Sequence, residues 1–482
     1  MTDIRVRIAP SPSGNLHIGT ARTALFNFLF AKKMGGKYIL RIEDTDAERS
    51  SDEYIKNIFD SLKALGLSWD EGPDVGGEYG PYAQSERFDI YPQYAQKLIE
   101  TGHAYECFCT SEELEVEKEE SQKNKVAHIY SGKCKNLSEE QKAALRAEGR
   151  KPAIRFAVEN KELKFNDLVK GELKFDTSLI GDFVIMKSNG TPTYNFAVVI
   201  DDMLMKISHV IRGEDHISNT PKQILIYEAL SPICAEIPQF GHLGMILAPD
   251  RSKLSKRHGA TGVSEFVEKG YLIEALVNFV ALLGWSPSDG VEIKSVDEIA
   301  ADFRIAEVSS SNSIFEYDKL NWLNAQYIKK LSTEELKERL KPFLTQYDLS
   351  ELTDAQYTRM VEITREPLVI LSDITDAATY FFGESVNVEP EVQAEVLDTE
   401  QSKTVLKEFA QLAQGWDFDE ETLHHKLEEF RGVFKERGIK PKETMWAIRG
   451  AVTGRTRGAD MCAVLAILGK NKVLRRINNT IK

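Results

Sequence analysis

Nowhere does the 482-residue chain hold the ~18 consecutive apolar residues that a membrane-spanning helix needs, so no membrane span is predicted. Its opening, Met1-Thr-Asp-Ile-Arg-Val-Arg-Ile, lacks the apolar core of a secretory signal. Cysteine is scarce. Five in so long a chain cannot form a disulfide framework, which points to a reducing cytoplasm. Internal repeats and low-complexity tracts are absent too, which excludes solenoids and disordered linkers. Cations are outnumbered: 61 Lys and Arg face 75 Asp and Glu, for a net charge of −14. Taken alone, that deficit argues against binding a polyanion.

What is present changes the picture. The apolar share of 42% and charged share of 28% are those of a soluble globular protein. The chain is too long for one ordinary core, so roughly two to four domains are expected. Charge is also unevenly placed. From Arg431 to Lys482 there are 13 Lys and Arg against Glu436, Glu443 and Asp460, a net of +10 that leaves −24 on the remainder. A basic end on an acidic body fits a protein that meets a polyanion on one face.

The spacing predicts a strand at residues 4–8, a turn-rich loop at 9–14, a helix at 16–34 stopped by Gly35-Gly36, and a strand at 37–43. Strand, helix, strand is a βαβ unit, the building block of parallel sheets with ligands at the strand carboxyl ends. Strand candidates at 182–186, 207–212 and 242–248, with a helix at 220–230, continue the pattern. Residues 103–180 interrupt it with a cysteine pair, a charged helix at 111–125 and short strands such as 153–158. Past about residue 262 helices dominate: 275–283, 319–330, 333–347, 354–364, 402–413, 420–437, 442–452 and 459–468.

Two short words carry chemistry. His17-Ile-Gly19 stands where the loop enters the first helix. A helix N-terminus presents unpaired N–H groups to phosphate, and glycine lets a nucleotide approach the backbone. The second word, Lys253-Leu-Ser-Lys256-Arg257, lies 236 positions later and offers cations to a triphosphate under attack. Each is weak singly. A histidine two before a glycine is common, and a basic turn is usually solvated.

Together, Pro-Ser-Pro-Ser-Gly-Asn-Leu-His17-Ile-Gly19 and Lys253-Leu-Ser-Lys256-Arg257 resemble the signature motifs of class I aminoacyl-tRNA synthetases. The flanking words resemble the glutamyl branch: Arg7-Ile-Ala-Pro-Ser11, Arg41-Ile-Glu43-Asp44-Thr45-Asp46, Gly190-Thr-Pro-Thr-Tyr194 through Asp201-Asp202, His209-Val-Ile-Arg212-Gly-Glu-Asp215-His216, and Thr453-Gly-Arg-Thr456. The likeness spans nearly the whole chain. Thr20 replaces the second histidine usual in the class, and Leu254 and Arg257 replace Met and Ser. Both variants are usual in the glutamyl branch.

The resemblance implies an α/β fold with a Rossmann-like parallel-sheet catalytic domain in two halves, 1–102 and 186–262. Between them, 103–185 would be an inserted α+β domain for the tRNA acceptor end. Residues 263–330 would form a helical stem-contact domain and 331–482 an all-α anticodon-binding region. The implied reaction joins glutamate to tRNA-Glu at the expense of ATP with Mg²⁺. Whether tRNA-Gln is charged as well is left open, and a cytoplasmic monomer is expected. His17, Lys253 and Lys256 are the implied catalytic residues. ATP would meet Ser11, His17, Gly19, Asp215, His216, Met245, Ile246 and Lys256.

Glutamate carries two carboxylates and an ammonium, so a selective site needs guanidinium groups and an acid. Arg7, Ala9, Ser11, Glu43, Tyr194 and Arg212 match the family's amino-acid site. Arg7 and Tyr194 are expected near the side-chain carboxylate and Glu43 at the amine. Arg7 and Glu43 sit on neighbouring strands, so pairing with each other is the competing structural reading.

Cys107-Phe-Cys109 and Tyr130-Ser-Gly-Lys-Cys134 have ligand-like spacing for a structural Zn²⁺, with Tyr130 or water as the fourth ligand. Reduced, metal-free thiols are the competing reading. Asn136 stands where some relatives have a histidine. Cys234 and Cys462 read as small core residues. Trp446 and Arg449 are candidate RNA contacts, although tryptophan at helical spacing usually lies in a core. The nearest rival is the glutaminyl branch, whose C-terminal β-barrels the helical tail disfavours. A catalytically inactive RNA-binding paralogue is disfavoured by the intact motifs.

Overall fold

In a computed structural model, residues 3–45, 51–125, 129–231 and 236–482 are described, apart from the side chain of Lys256. Asp46 and Cys234 lie outside the described residues. The chain forms two compact units. One comprises Met1–Phe266 and Leu276–Tyr317, the other Val267–Ala275 and Asp318–Lys482.

The first unit is built on a four-stranded parallel sheet in the order Lys37–Leu40, Arg5–Ile8, His209–Gly213, Gln239–Leu243. All four residues of Arg5–Ile8 are buried, as expected of a central strand. The helix Ile18–Met34 packs Ala21, Leu25, Phe26 and Leu29 into the core. It stops where expected: Gly35 adopts φ 65°, a conformation that favours glycine, and its N–H caps the carbonyls of Ala31 and Lys32.

The expected strand at 182–186 is observed as Phe183–Met186, but outside the parallel sheet. It runs antiparallel to Ala153–Phe156, which also pairs with Ala104–Cys107, so the interruption has a three-stranded sheet of its own. A hairpin, Glu162–Asp167 with Gly171–Asp176, lies beside this sheet in sequence, and Leu168 donates to the Phe240 carbonyl of the parallel sheet. The expected strand at 242–248 is two pieces, Gln239–Leu243 and Ile246–Leu247. The break falls at Gly244, where a side chain would sit 2.3 Å from the Ser311 carbonyl.

The second unit is helical, and among the described residues no strand follows Ser313–Ile314. The helix expected at 333–347 ends at Leu340 and continues as a short 3₁₀ turn. Pro342, which has no N–H to donate, explains the stop. The last helix runs Met461–Ile481 and is broken at Gly469, φ 74°. One apolar core, including Leu336, Phe409, Phe434, Ile448 and Leu465, holds this unit together. No described helix is long and apolar enough to cross a membrane.

Candidate active site

The carboxyl ends of the parallel strands open into a cleft of about 580 Å³. It collects Arg7, Ala9, Ser11, His17, Gly19, Glu43, Tyr194, Arg212, Asp215, His216, Met245, Ile246 and Lys253. Every catalytic, ATP and glutamate candidate with a described side chain therefore meets in one place. The Lys256 side chain lies outside the described residues.

Main-chain hydrogen bonds bring the two distant motifs together. Ile18 N–H donates to the Thr261 carbonyl at 2.8 Å, and Val263 N–H donates to the Leu16 carbonyl at 3.1 Å. His17 caps the first helix: its Nδ1 accepts from Gly19 N–H at 3.0 Å. With Nδ1 accepting, a neutral ring carries its proton on Nε2, the nitrogen left free to donate. Burial, and then the charge of Lys253, hold the imidazole below its usual pKa, so the ring is neutral. The second motif forms a closed turn, in which Asp250 accepts from the N–H and hydroxyl of Ser252 at 2.9 and 2.6 Å. Leu254 is buried and anchors the loop.

At the amino-acid end the chain buries several charges. Arg7 donates Nε to Asp202 at 3.1 Å. Arg41, fully buried, donates to Asp202 at 2.6 Å and to Glu43 at 3.1 Å. Arg7 and Glu43 thus do not pair with each other; each has another partner. Burial pushes the Glu43 carboxyl above its ordinary pKa, against the pull of Arg41 and Arg7. Burial would also raise Asp202, but Arg41 and Arg7 outweigh it and hold that carboxyl low. Tyr194, pushed up to about 12 by burial, keeps its proton and meets His216 Nδ1 at 3.0 Å.

Arg212 is different. It is 5% exposed, yet its hydrogen bonds go to Thr220 and Gln223, each at 2.8 Å, and to His242 Nε2 at 3.2 Å. Its Nη1 has no partner among the described residues. A buried guanidinium N–H without a partner, on a residue that lines the cleft, suits a carboxylate.

Sequence reasoning missed the supporting groups. Asp202, Thr220, Gln223, His242 and Asp167 were not singled out, nor were Arg22 and Glu214, which line the cleft. One signal was available: Asp201-Asp202 ends an apolar run, and buried carboxylates need partners. Asp201 finds them in Arg87, Gln84 and Tyr91.

Similarity to known proteins fits this geometry. Residues 3–322 match the family described as tRNA synthetases class I (E and Q), catalytic domain, and residues 335–481 match an anticodon binding domain. A glutamate–tRNA ligase of Carboxydothermus hydrogenoformans is 49% identical, with 99% of each chain covered. A second, from Caldicellulosiruptor saccharolyticus, is 48% identical, with 98% of each covered. A crystal structure of a glutamate tRNA ligase from Elizabethkingia meningosepticum in complex with its amino acid superposes with a TM-score of 0.91 at 33% identity, covering 99% of each chain. This chain belongs to the class I glutamate–tRNA ligase family. It is an aminoacyl-tRNA-forming enzyme with a parallel-sheet catalytic domain and a helical anticodon-binding domain. The glutaminyl alternative, with its β-barrel tail, does not fit the helical second unit.

Away from the cleft, Cys107, Cys109 and Cys134 place their sulfurs within 4.8 Å of one another. The Tyr130 hydroxyl lies 3.5 Å from Cys107 Sγ and 3.4 Å from Cys109 Sγ. Burial pushes the Cys109 thiol up to about 12. Burial would raise the Cys107 thiol, but the Tyr130 hydroxyl and then Arg155, which donates to Sγ at 3.2 Å, hold it below its usual value. Cys462 is half-buried against the helical core. Trp446 is half-buried beneath Lys442, and Arg449 donates to the Ala459 carbonyl at 2.8 Å.

Proposed function

We propose that this chain joins glutamate to tRNA-Glu in two steps within the described cleft. In the first, the glutamate α-carboxylate attacks the ATP α-phosphorus and pyrophosphate leaves. No protein nucleophile is needed, so catalysis is alignment plus stabilisation of developing phosphate charge. His17 Nε2–H, Lys253 and Lys256 supply that stabilisation. Ser11, Gly19, Asp215, His216, Met245 and Ile246 hold the nucleotide, whose triphosphate brings Mg²⁺ as part of the substrate. In the second step, the 2′-hydroxyl of the terminal adenosine attacks the adenylate carbonyl and AMP leaves.

The unpartnered Nη1 of Arg212, in the same cleft as the Glu43 carboxylate, carries this reading. Together with Arg7 they offer two guanidinium groups and one acid, the complement of glutamate. Arg7 and Tyr194 take the side-chain carboxylate, Glu43 takes the ammonium, and Arg212 takes a carboxylate. The inserted segment at 103–185 receives the acceptor end, residues 263–330 meet the stem, and 331–482 read the anticodon.

Cys107, Cys109, Cys134 and Tyr130 have the donor types and closeness of a structural zinc site. Zinc there would bind the thiols as thiolates and tie the loops together. The family likeness also supports a monomer acting in the cytoplasm.

Glutamate-dependent exchange of pyrophosphate into ATP, with and without tRNA, tests the reaction. Exchange with glutamate in the presence of tRNA is expected. Exchange with glutamine instead, or with no amino acid, would overturn the reading. Metal analysis of the purified protein is expected to find about one zinc per chain, lost on Cys109→Ser.

A further inference from the structure

Behind Arg212 lies a buried chain of groups that does not reach the cleft. Asp167, at the end of the strand Glu162–Asp167, is 2% exposed, and His242, on the parallel strand Gln239–Leu243, is 0% exposed. Asp167 Oδ2 lies 2.6 Å from His242 Nδ1, and His242 Nε2 lies 3.2 Å from Arg212 Nε. A carboxylate only accepts, so the imidazole proton sits on Nδ1. The neutral ring then presents an Nε2 lone pair, which is what the Arg212 Nε–H needs. Burial, opposed by the bond to Asp167, keeps the ring below its usual pKa and neutral.

The contrast with Arg7 shows what this arrangement does. Asp202 touches Arg7 directly and compensates its charge. Arg212 is held just as firmly, by Thr220, Gln223 and His242, but every one of those contacts is uncharged. Its charge stays available for a ligand while its orientation is fixed. Groups behind a binding residue commonly set its tautomer and direction in this way.

We infer that Asp167 and His242 are positioning residues that aim Arg212 at the side-chain carboxylate of glutamate, the charge that glutamine lacks, and thereby help select glutamate. The inference rests on the proposed role of Arg212 in the glutamate site.

The geometry supplies a selective test. Asp167 Oδ1 accepts from three backbone N–H groups: His242 at 3.1 Å, Val169 at 3.0 Å and Lys170 at 2.9 Å. In Asp167→Asn those donors fix the amide oxygen in the same place. The amide NH₂ then faces His242 Nδ1, which must accept. The ring proton moves to Nε2, which no longer accepts from the Arg212 Nε–H at 3.2 Å and instead donates toward the Thr220 hydroxyl at 3.0 Å. The substitution reverses one hydrogen-bond direction and removes one buried negative charge, while volume and backbone capping are kept.

With tRNA present, Asp167→Asn is expected to raise KM for glutamate about 10- to 100-fold, the loss typical of a hydrogen bond to a charged group. KM for ATP and the melting temperature stay near wild type, and preference for glutamate over glutamine falls. Thr220→Val removes a neutral contact to Arg212 and should shift KM for glutamate the same way, by less. Unchanged KM for glutamate in both variants, or equal rises in the two KM values, would overturn the inference. If Asp167→Asn does not fold, Thr220→Val decides by the same criterion. Wild-type enzyme that fails to use glutamate would overturn the proposed function instead.

Discussion

In the catalytic unit, Arg7, Arg41 and Arg212 are 4%, 0% and 5% exposed, and each is fixed by buried partners. The helical unit buries Arg476 against backbone carbonyls but leaves most of its charge pairs exposed. Its cavity, about 1190 Å³, is lined by Asp376, Glu389, Arg455 and Arg457, among others. There Arg455 pairs with an Asp376 whose side chain is 76% exposed. Arg437, Lys472 and Arg475 form similar pairs with Glu408, Glu351 and Glu384, so much of the +10 tail has local partners. A small ligand with three charges calls for a few dehydrated donors in fixed places. A polyanion can be met by many exposed cations, each exchangeable between an acid of the protein and a phosphate.

The largest effect that would sharpen this contrast is on stability. Asp202→Ala leaves Arg7 without its carboxylate and Arg41 with only Glu43 and the more distant Asp201, and should lower the unfolding free energy by about 3–5 kcal/mol. Asp376→Ala should cost less than about 1 kcal/mol. Urea denaturation of both variants checks this; equal losses would break the comparison.

Next is catalysis. His17→Ala should slow glutamate-dependent pyrophosphate exchange by roughly 10²–10³-fold, as loss of one charge-stabilising donor does. Its stability should fall only by the loss of one helix cap, about 1 kcal/mol.

The pH dependence follows from His216. Burial, and then Arg212, hold its folded pKa down to about 4 from the usual 6.5. Between those values the unfolded chain binds a proton that the folded chain refuses. Stability therefore falls as pH drops from 6.5 to 4, and His216→Gln should flatten that slope in melting-temperature scans. A slope unchanged in the variant would refute the assignment.

The smallest effect is expected at Arg455. Arg455→Ala should weaken tRNA binding a few-fold and reduce its salt slope by about 0.7, leaving KM for glutamate unchanged. A change in KM for glutamate would contradict the separation of the two roles.

Legibility in the sequence followed the same divide. The cleft was readable because its chemistry lies in contiguous words that a strand end or helix start turns toward the ligand: Arg7 to Ser11, His17 to Gly19, Arg212 to His216. Asp167 and His242 were not readable, because each is a single residue whose partner lies far along the chain. Only the meeting of the hairpin with the parallel sheet joins them. The apolar residues at 183–186 are consistent with the predicted strand at 182–186 but could not say which sheet it joins. Pro342 did carry the signal that cuts the helix predicted at 333–347. In the helical unit, periodicity found the helices, while exposed cations look alike in sequence whether they face an acid or an RNA.

The most direct measurement is the ratio of kcat/KM for glutamate and glutamine in tRNA charging by the wild-type enzyme. A buried guanidinium with an unpartnered N–H, aimed at the side-chain carboxylate, predicts preference for glutamate by ~10⁴ or more, because glutamine would leave that charge uncompensated. Comparable use of both amino acids would contradict the account.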